Sequence, residues 1–315
     1  MSRDYSFSQH FIARFGNRFH TNFPLKTHCT ARVGGNARWF VTVNNKTELQ
    51  EVLRESWELG INSYLMGSGS NVLFSDDDYD GIVIQNQAKQ IVLNESDEAA
   101  TIWAESGASI GLIARKAALA EYEGLEWASG IPGTLGGAVY GNAGAHGGDI
   151  SSVLHLAEIL QPGKESVFWQ VEDFAFAYRS STLKRGEVKG IVLSASLKCK
   201  KGDPQLIKEK METYNQHRRR SQPPGASMGS MFKNPPGDYA GRLIEASGLK
   251  GFSVGGVKVS EVHANFFVNS DQATAMDYYN LIRQVQQKVK EKFNVDLELE
   301  IELVGFNNND DQGSS

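Results

Sequence analysis

Hydrophobic and polar residues follow two different periods along about the first two hundred residues. Short β-branched and aromatic runs predict strands, at 36–43, 63–66, 81–85, 90–93, 101–104, 153–160, 165–170 and 190–199. Helical spacing between these runs predicts one helix opened by a capping box at Thr47-Glu48-Leu49-Gln50. It predicts another from Ser109 to about Tyr122, with Gly124 as its C-terminal cap. This part of the chain therefore combines sheets and helices.

The pattern changes at Asp203-Pro204. An aspartate cap followed by proline predicts a long polar helix to about Arg219, and we place the main domain boundary there. Further helices are expected at 239–246 and 272–293, and a strand at 265–269. In a final predicted strand, apolar residues alternate with acids, which puts the acids on one face: Asp296, Glu298, Glu300 and Glu302. Alternation alone selects none of them. The polar tail, 307–315, is predicted to be disordered.

The N-terminal residues 1–24 form a predicted extension. Their apolar residues fall near one helical face, which favours a docked helix over a transit peptide: Phe7, Phe11, Ile12, Phe15 and Phe19.

Composition limits the classes of function. A chain of 315 residues predicts two or three domains, and a net charge of −5 argues against general nucleic-acid binding. The basic run 217–220 is interpreted as a solvated helix end. Cys29 and Cys199 lie far apart and outside any CxxC pattern, so neither a disulfide framework nor a metal site is expected. Without a membrane-spanning run or a signal-peptide core, a cytoplasmic setting is predicted.

Two glycine-rich blocks are typical of phosphate binding. Residues 67–71, GSGSN, follow a predicted strand, so their N–H groups can form an anion-binding nest. The second block runs from Ser129 through Gly137 and on to Gly144. Neither matches GxGxxG or the P-loop, and a serine-glycine hairpin stays an alternative for the first. Together they indicate a large dinucleotide, with one loop on its pyrophosphate and the other along its ring system.

A third motif, GSMFKNP at 229–235, combines a hydroxyl, an ammonium group and a carboxamide. Ser230 can donate a proton, and Lys233 can hold an anion or a carbonyl oxygen. Arg179, in Tyr178-Arg179, has a planar fork that matches a carboxylate, although such a pair is more often a surface feature. His263 is interpreted as a structural, hydrogen-bonded histidine.

These blocks, in this order and spacing, resemble the UDP-N-acetylenolpyruvoylglucosamine reductase family from about Phe23 to Gly305. The matching segments are TARVGGNARWF, MGSGSNVLFSD, GIPGTLGGAVYGNAGAHGGDI, FAYRSSTL, RRRSQP, GSMFKNP, AGRLIEASGLKG, VSEVHANFFVN and LELEIELVG. The resemblance implies an α+β fold, with a two-lobed FAD-binding domain of the vanillyl-alcohol-oxidase (PCMH) type at 25–202, its lobes dividing near residue 86. A C-terminal α+β substrate domain is implied at 203–306.

The same resemblance implies an NADPH- and FAD-dependent reduction of the enolpyruvyl group of a UDP-sugar in peptidoglycan precursor synthesis, by a monomer. Catalytic roles are implied for Arg179, Ser230 and Glu300. Implied FAD-binding positions are Gly67, Ser68, Gly69, Ser70, Asn71, Gly130, Ile131, Pro132, Gly133, Gly137 and Asn142. Implied substrate contacts are Tyr178, Arg218, Lys233 and Asn234.

The chain departs from the family pattern at two places. Residues 181–190 lack the tyrosine-bearing loop of longer members, and Ser221 stands where many members have lysine, so Arg218 or Arg220 is expected to take over a diphosphate contact. Two alternatives stay open: a flavin oxidase of the same superfamily acting on a sugar or alcohol, and a non-catalytic nucleotide-sugar binding protein.

Overall fold

A computed structural model describes residues 3–95, 99–270 and 272–306 of the protein. The helices are α1 (Arg3–Phe15), α2 (Lys46–Glu58), α3 (Ile110–Leu119), α4 (Leu135–Gly141), α5 (Ile150–Val153), α6 (Pro204–Ser221), α7 (Ala240–Ala246) and α8 (Ala275–Phe293). The strands are β1 (Phe19–Pro24), β2 (Asn36–Val43), β3 (Ser63–Met66), β4 (Val72–Phe74), β5 (Tyr79–Asn86), β6 (Ile91–Glu95), β7 (Ala99–Glu105), β8 (Tyr122–Glu123), β9 (Gly144–Ala145), β10 (Gly148–Asp149), β11 (Leu154–Leu160), β12 (Val167–Trp169), β13 (Ile191–Lys201), β14 (Ser253–Val254), β15 (Val257–Val259), β16 (Phe267–Asn269) and β17 (Glu302–Val304). This content confirms the predicted α+β class.

The chain folds into two compact units. Of the described residues, the first unit holds those within Met1–Phe19, Phe40–Ser68 and Gly81–Arg218, and the second unit holds those within His20–Trp39, Gly69–Asp80 and Arg219–Ser315. The chain therefore passes between the units inside β1, β2, β5 and α6, and in the loop that follows β3. The predicted functional domain boundary at Asp203-Pro204 stays a prediction. The disordered tail predicted at 307–315 lies outside the described residues.

The first unit is built on an antiparallel sheet with the strand order β12-β11-β13-β7-β6, and β8 also pairs with β13. Along its central pair, Ile102 lies opposite Leu197, and Ala104 lies opposite Ala195. These four side chains are buried and pack with α3, α4 and α5 in one hydrophobic core. The parallel pair of β3 and β5 belongs to a second sheet, of order β1-β2-β5-β3.

The strands predicted in about the first two hundred residues are confirmed with small shifts of their ends, but two helix ends were wrong. Helix α3 ends at Leu119, because buried Tyr122 pairs with Lys201 at the end of β13. Glu121, two residues after the end of the helix, has a left-handed backbone conformation with φ 63°. Tertiary strand pairing therefore overrides the glycine signal at Gly124.

The cap of α2 also differs from the prediction. Asn45, not Thr47, is the N-cap, and its side chain accepts a hydrogen bond from Glu48 N at 2.9 Å. The Glu48 carboxylate in turn accepts from Asn44 N at 2.8 Å. The Glu48 carboxylate therefore reaches the residue before the N-cap, and the capping arrangement begins two residues earlier than predicted.

Helix α1 packs on α2 in the first unit, as a docked extension. Phe7, Phe11 and Phe15 are buried, whereas Ile12 is 44% exposed and was wrongly placed on the buried face. Polar contacts between side chains flank the phenylalanines: His10 with Glu55, Arg14 with Glu51, and Arg18 with Glu48. The Arg18 hydrogen bond holds the pKa of Glu48 below its usual range.

The second unit packs α7 and α8 against the antiparallel strands β14, β15 and β16. The Asp76 carboxylate accepts from the N–H groups of Ala275 and Met276 at the start of α8, both at 2.9 Å. A carboxylate there pairs orphan donors and complements the helix dipole. Strand β17 pairs in parallel with β4.

The final strand is shorter than predicted. Only Glu302–Val304 forms a ladder, and Leu299 makes an isolated bridge to Phe232. The predicted alternation of exposure nevertheless holds upstream, because Leu297 is buried while Glu298 is exposed. The alternation of burial therefore persists where regular strand pairing does not.

Both cysteines are buried and free. Burial raises the pKa of Cys29 to about 12 and that of Cys199 to about 11. Neither thiol forms a disulfide, in agreement with their spacing in the sequence. Within the described ranges, no helix combines the length and apolar character that crossing a membrane requires.

The indole of Trp127 leads to a prediction about stability. The side chain is 5% exposed, and its Nε1 has no hydrogen-bond partner among the described residues. Because Trp127→Phe removes a desolvated donor and keeps an aromatic ring, we expect a free energy of unfolding within about 1 kcal/mol of wild type. Trp127→Ala should lower it by about 3–5 kcal/mol. Urea denaturation measures both, and equal losses would contradict the prediction.

Candidate functional site

The first glycine-rich loop, 67–71, directly follows β3 and is shared between the two units. In the first unit, a Cβ added to Gly67 would lie 2.5 Å from Thr134 Oγ1. Thr134 belongs to the second glycine-rich block, so the two blocks approach each other at this point. A larger residue at position 67 would separate them.

The remainder of this loop is anchored within the second unit. Gly69 has φ 64°, and an added Cβ would lie 2.2 Å from His28 O. The Gly69 carbonyl accepts hydrogen bonds from Thr30 N at 3.0 Å and from Thr30 Oγ1 at 3.2 Å. The left-handed backbone and the close approach both require glycine here.

Asn71 connects this loop with the segment that carries Glu300. Its side-chain Nδ2 donates to Glu300 O at 3.2 Å, and its carbonyl accepts from Glu302 N at 2.9 Å. A residue implied in cofactor binding therefore also holds the backbone of a residue implied in catalysis. This contact spans 229 positions in the chain and has no sequence signal.

The second glycine-rich block forms a turn and then α4 in the first unit. Gly130 and Gly133 have φ values of 73° and 123°. Gly136 N donates to Ser106 O at 2.8 Å, and an added Cβ on Gly136 would lie 2.9 Å from Ser106 Cβ. Gly136 thus allows the start of α4 to pack closely against Ser106. Gly130 and Gly137 are exposed, and their backbone is accessible to a ligand.

The guanidinium group of Arg179 lies against the end of the second block. Its Nη2 donates to Gly144 O at 2.6 Å, and its Nη1 lies 3.4 Å from Asn142 O. Tyr178 is 53% exposed, and its ring centroid lies 5.2 Å from the Arg179 guanidinium carbon. Arg179 of the Tyr-Arg pair is therefore held by defined contacts within the first unit.

Arg218, near the end of α6, lies next to the turn at the start of the second block. An added Cβ on Gly130 would lie 3.5 Å from Arg218 Cδ and 2.6 Å from Asn215 Oδ1. Burial lowers the pKa of Arg218. Helix α6 thus closely approaches the turn that was predicted to bind the flavin.

Three aromatic rings lie near Arg218: those of His146, Tyr214 and His217. His146, at the tip between β9 and β10, stacks on Tyr214 with centroids 4.1 Å apart and an interplanar angle of 5°. His217 makes an edge contact with His146 at 5.6 Å. Burial lowers the pKa of His146, and the nearby His217 and Arg218 lower it further. The stack is therefore stable with a neutral imidazole.

In the second unit, the backbone brings Ser230 and Glu300 into one neighbourhood. Ser230 forms an antiparallel bridge with Phe266, and Met231 N donates to Asn265 O at 2.8 Å. On the other side, Glu300 N donates to Met231 O at 2.9 Å. Two residues 70 positions apart thus meet through one intervening residue, while Arg179 belongs to the first unit.

Lys233 and Asn234 both have partners within the protein. Lys233 Nζ lies 3.2 Å from Glu298 Oε2, and Asn234 Oδ1 accepts from Ala240 N at 3.1 Å at the start of α7. The Asn234 carboxamide therefore caps a helix. Their predicted substrate contacts stay predictions.

The second unit also contains a cleft of about 690 Å³. Its lining includes the hydroxyl groups of Thr27 and Thr30 and the cationic side chains of Lys26 and Arg32, together with Cys29, Gly225 and Ala226. Thr30 also pins the first glycine-rich loop. This donor set favours an anionic ligand. Sequence reasoning did not select these residues individually, although TARVGG was the signal that could have led to them.

The part of the first glycine-rich loop in the second unit lies beside donors that a dinucleotide such as FAD requires. Cβ atoms at Gly67 and Gly69 would collide with the protein itself, so these turns exist only with glycine. In the second unit, Thr30 contacts Gly69 and, with Lys26 and Arg32, supplies hydroxyl and cationic groups that suit a pyrophosphate. The residues present therefore fit the cofactor.

Residues 37–164 match the sequence model of an FAD binding domain, which defines the protein as a flavoprotein by class. Residues 220–304 match the model described as UDP-N-acetylenolpyruvoylglucosamine reductase, C-terminal domain. The chain belongs to the UDP-N-acetylenolpyruvoylglucosamine reductase family, as the resemblance in its sequence indicated.

The similarity to individual relatives covers nearly the whole chain. The reductase from Chloroflexus aggregans is 39% identical over 286 residues, covering 90% of this chain and 96% of the relative. That from Caldicellulosiruptor saccharolyticus is 43% identical over 285 residues, covering 90% of each. The crystal structure of UDP-N-acetylenolpyruvylglucosamine reductase from Thermus caldophilus has a TM-score of 0.77 and 34% identity, covering 91% of this chain and 98% of that one.

The His146 stack leads to a prediction about pH. Because folding lowers the pKa of His146 from its usual value of 6.5, the neutral form stabilises the protein above about pH 6.5, and this contribution is lost as the pH falls through the folded pKa. His146→Asn, which tolerates the φ of 52°, should therefore show a smaller drop in melting temperature than wild type between about pH 7.5 and 5.5. Tyr214→Phe keeps the stacked ring and should retain the wild-type drop. A His146→Asn profile parallel to wild type would contradict the prediction.

Proposed function

We propose that this protein is a UDP-N-acetylenolpyruvoylglucosamine reductase of peptidoglycan precursor synthesis, acting in the cytoplasm with FAD and NADPH. The reaction adds two electrons and a proton from NADPH, and one further proton, across the enolpyruvyl C=C, and gives UDP-N-acetylmuramate. The observation that supports it most is the match of residues 220–304 to the reductase C-terminal domain, which contains both Ser230 and Glu300.

The residues proposed to hold FAD are those of the two glycine-rich blocks. Ser68 lies between Gly67 and Gly69, and Ser70 and Asn71 follow them; the backbone N–H groups of this loop suit the pyrophosphate. Gly130, Pro132 and Gly137 are exposed, and the backbone of 130–133, which includes Ile131, and of Gly137 can approach the flat ring system. When bound, FAD supplies the two-electron transfer between NADPH and the enolpyruvyl double bond.

Arg179 is proposed to bind the substrate carboxylate. During reduction, negative charge develops toward the carboxylate oxygens, so donors aimed at them beforehand lower the barrier. A guanidinium presents a planar set of N–H donors that can serve a carboxylate in addition to the carbonyls of Asn142 and Gly144. Those carbonyls fix the plane of the fork.

Ser230 is proposed to donate the proton to C2 of the enolpyruvyl group. Gly229, at φ 80°, precedes it with nothing within 4 Å of an added Cβ, so a ligand can approach the backbone there. Glu300 is proposed to donate a hydrogen bond to the substrate carboxylate in its protonated form, because two negative charges in contact would repel each other. Lys233 can polarise the serine hydroxyl.

Substrate contacts complete the proposal. Tyr178 and Asn234 are proposed to contact the UDP-sugar, and Arg218 its diphosphate in place of the missing lysine. An arginine matches phosphate oxygens with more than one hydrogen bond.

An anaerobic assay tests the function. The purified protein is mixed with NADPH and UDP-N-acetylglucosamine enolpyruvate, and we expect one UDP-N-acetylmuramate for each NADPH oxidised. Substrate oxidation that requires oxygen would indicate a flavin oxidase instead. Protein that binds the nucleotide sugar but has no flavin absorbance would indicate a non-catalytic binding protein.

Ser230→Ala tests the proton donor. We expect flavin reduction by NADPH to be nearly normal, and flavin reoxidation by the enolpyruvyl substrate to slow by about 10²–10⁴-fold, the usual loss of a general acid. Stopped-flow absorbance follows each half-reaction separately. Ser227→Ala, three residues upstream in the same segment, is the matched control and should behave as wild type. Equal losses in both half-reactions would rule out Ser230 as the donor.

Substitutions at Glu300 test the form in which it acts. If a protonated acid works, Glu300→Gln retains a hydrogen-bond donor and should reduce the rate of the enolpyruvyl half-reaction far less than Glu300→Ala. Asp296→Asn, on the same extended segment, is the control. Comparable losses in Glu300→Gln and Glu300→Ala would remove this assignment.

A further inference from the structure

We propose that Asn142 is a positioning residue for Arg179. The side-chain amide of Asn142 holds the turn that carries Arg179, and so fixes the position of the arginine. This inference rests on the proposed function, in which Arg179 binds the substrate carboxylate. It gives Asn142 a role different from the direct flavin contact that the sequence resemblance implies.

Asn142 is buried at the end of α4, with 4% of its surface exposed. Both polar atoms of its side-chain amide form hydrogen bonds: Nδ2 donates to Ala177 O at 3.0 Å, and Oδ1 accepts from Ser151 N at 3.0 Å. The side chain thus joins the Tyr-Arg turn to α5. Because both partners are main-chain groups, the side chain fixes the backbone of the turn.

The turn that carries Arg179 makes a second contact with Asn142. Ala177 and Ser180 exchange hydrogen bonds at 3.1 Å, which closes a tight turn around Tyr178 and Arg179. Arg179 is in the left-handed region at φ 54°, and its Nη1 lies 3.4 Å from Asn142 O. Asn142 therefore contacts this turn through its amide and the guanidinium through its carbonyl.

A second anchor lies next to the first. Ser181 is fully buried, and its Oγ donates to Tyr140 O at 2.6 Å. Residues 177–181 are thus attached to the end of α4 at two points. The Ser181 contact sets the position of the segment, and the Asn142 amide adds the constraint at the carbonyl that precedes Tyr178.

The conformation of Asn142 alone does not explain the choice of asparagine. Its φ of 45° suits a helix C-terminus, where glycine serves equally well. Asn294 ends α8 in the same way, at φ 55°, but is exposed. Substituting glycine at each position keeps the backbone conformation, and only at position 142 does it remove an amide that joins two segments.

The kinetic test uses Asn142→Gly with Asn294→Gly as the matched control. Misplacing Arg179 should slow the enolpyruvyl half-reaction by about 10²-fold, because small displacements of a positioning group are costly. Flavin reduction by NADPH should stay within about twofold of wild type, and Asn294→Gly should change neither rate. Equal slowing of both half-reactions in Asn142→Gly would overturn the proposal.

A double-mutant cycle distinguishes positioning from a general structural role. If Asn142 acts through Arg179, then adding Asn142→Gly to Arg179→Lys should change the enolpyruvyl half-reaction by no more than about twofold. Independent, multiplicative losses would contradict the coupling. If Asn142→Gly does not fold, Asn142→Asp provides the same test, since it keeps the acceptor for Ser151 N–H and removes the donor to Ala177 O.

A structural readout separates this inference from the proposed function. In a crystal structure of Asn142→Gly, we expect the Ala177–Ser180 turn to shift and Arg179 Nη2 to leave Gly144 O. An unchanged turn would overturn the positioning role even if the wild-type enzyme reduces the enolpyruvyl sugar. A shifted turn would support it even if the wild-type protein acted on another substrate.

Discussion

The arrangement of the site depends on hydrogen bonds between asparagine amides and the main chain of distant segments. Asn265 is the clearest case: it is 3% exposed, its Oδ1 accepts from Phe232 N at 3.0 Å, and its Nδ2 donates to Phe232 O at 2.8 Å. A carboxamide offers the same donor and acceptor as a peptide group, so it can pair with an irregular strand as another strand would. Without this pair, two buried main-chain groups beside Ser230 would lack partners, at a cost of about 1–3 kcal/mol each.

The same device recurs elsewhere in each unit. Asn71 holds the carbonyl of Glu300 in the second unit, and Asn142 joins two segments in the first. In each case the partner is a backbone group in a segment without regular strand pairing. Side-chain amides therefore allow functional residues to lie on loops whose conformation is nevertheless fixed.

Much of the fold could be predicted from local patterns. Strand β2 has the predicted ends, and α6 begins at Pro204 after the Asp203 cap. The errors arose where tertiary partners decided the outcome, as at Tyr122, where pairing with β13 ends α3 early. Propensity describes one segment at a time, so it contains no information about a strand that follows almost eighty residues later.

For the site, the sequence indicated the chemical types of residue but not their partners. The clustering of glycines predicted phosphate-binding turns, yet the contact of Gly67 with Thr134 follows only from the folded backbone. Asn234 was selected as a carboxamide near Lys233, and its role as a cap for α7 depends on how the chain turns at Pro235 and Gly237. Motif spacing is linear, whereas hydrogen-bond partners depend on three-dimensional proximity.

The burial of both cysteines has a practical consequence for spectroscopy on this protein. Thiol-reactive dyes attack the thiolate, and with pKa values of about 12 and about 11 the two native side chains are almost entirely protonated near neutral pH. One new cysteine introduced at an exposed position would then be the preferred target for maleimide coupling. Fluorophores or spin labels could thus be attached at chosen sites to follow motion during turnover, without first replacing Cys29 or Cys199.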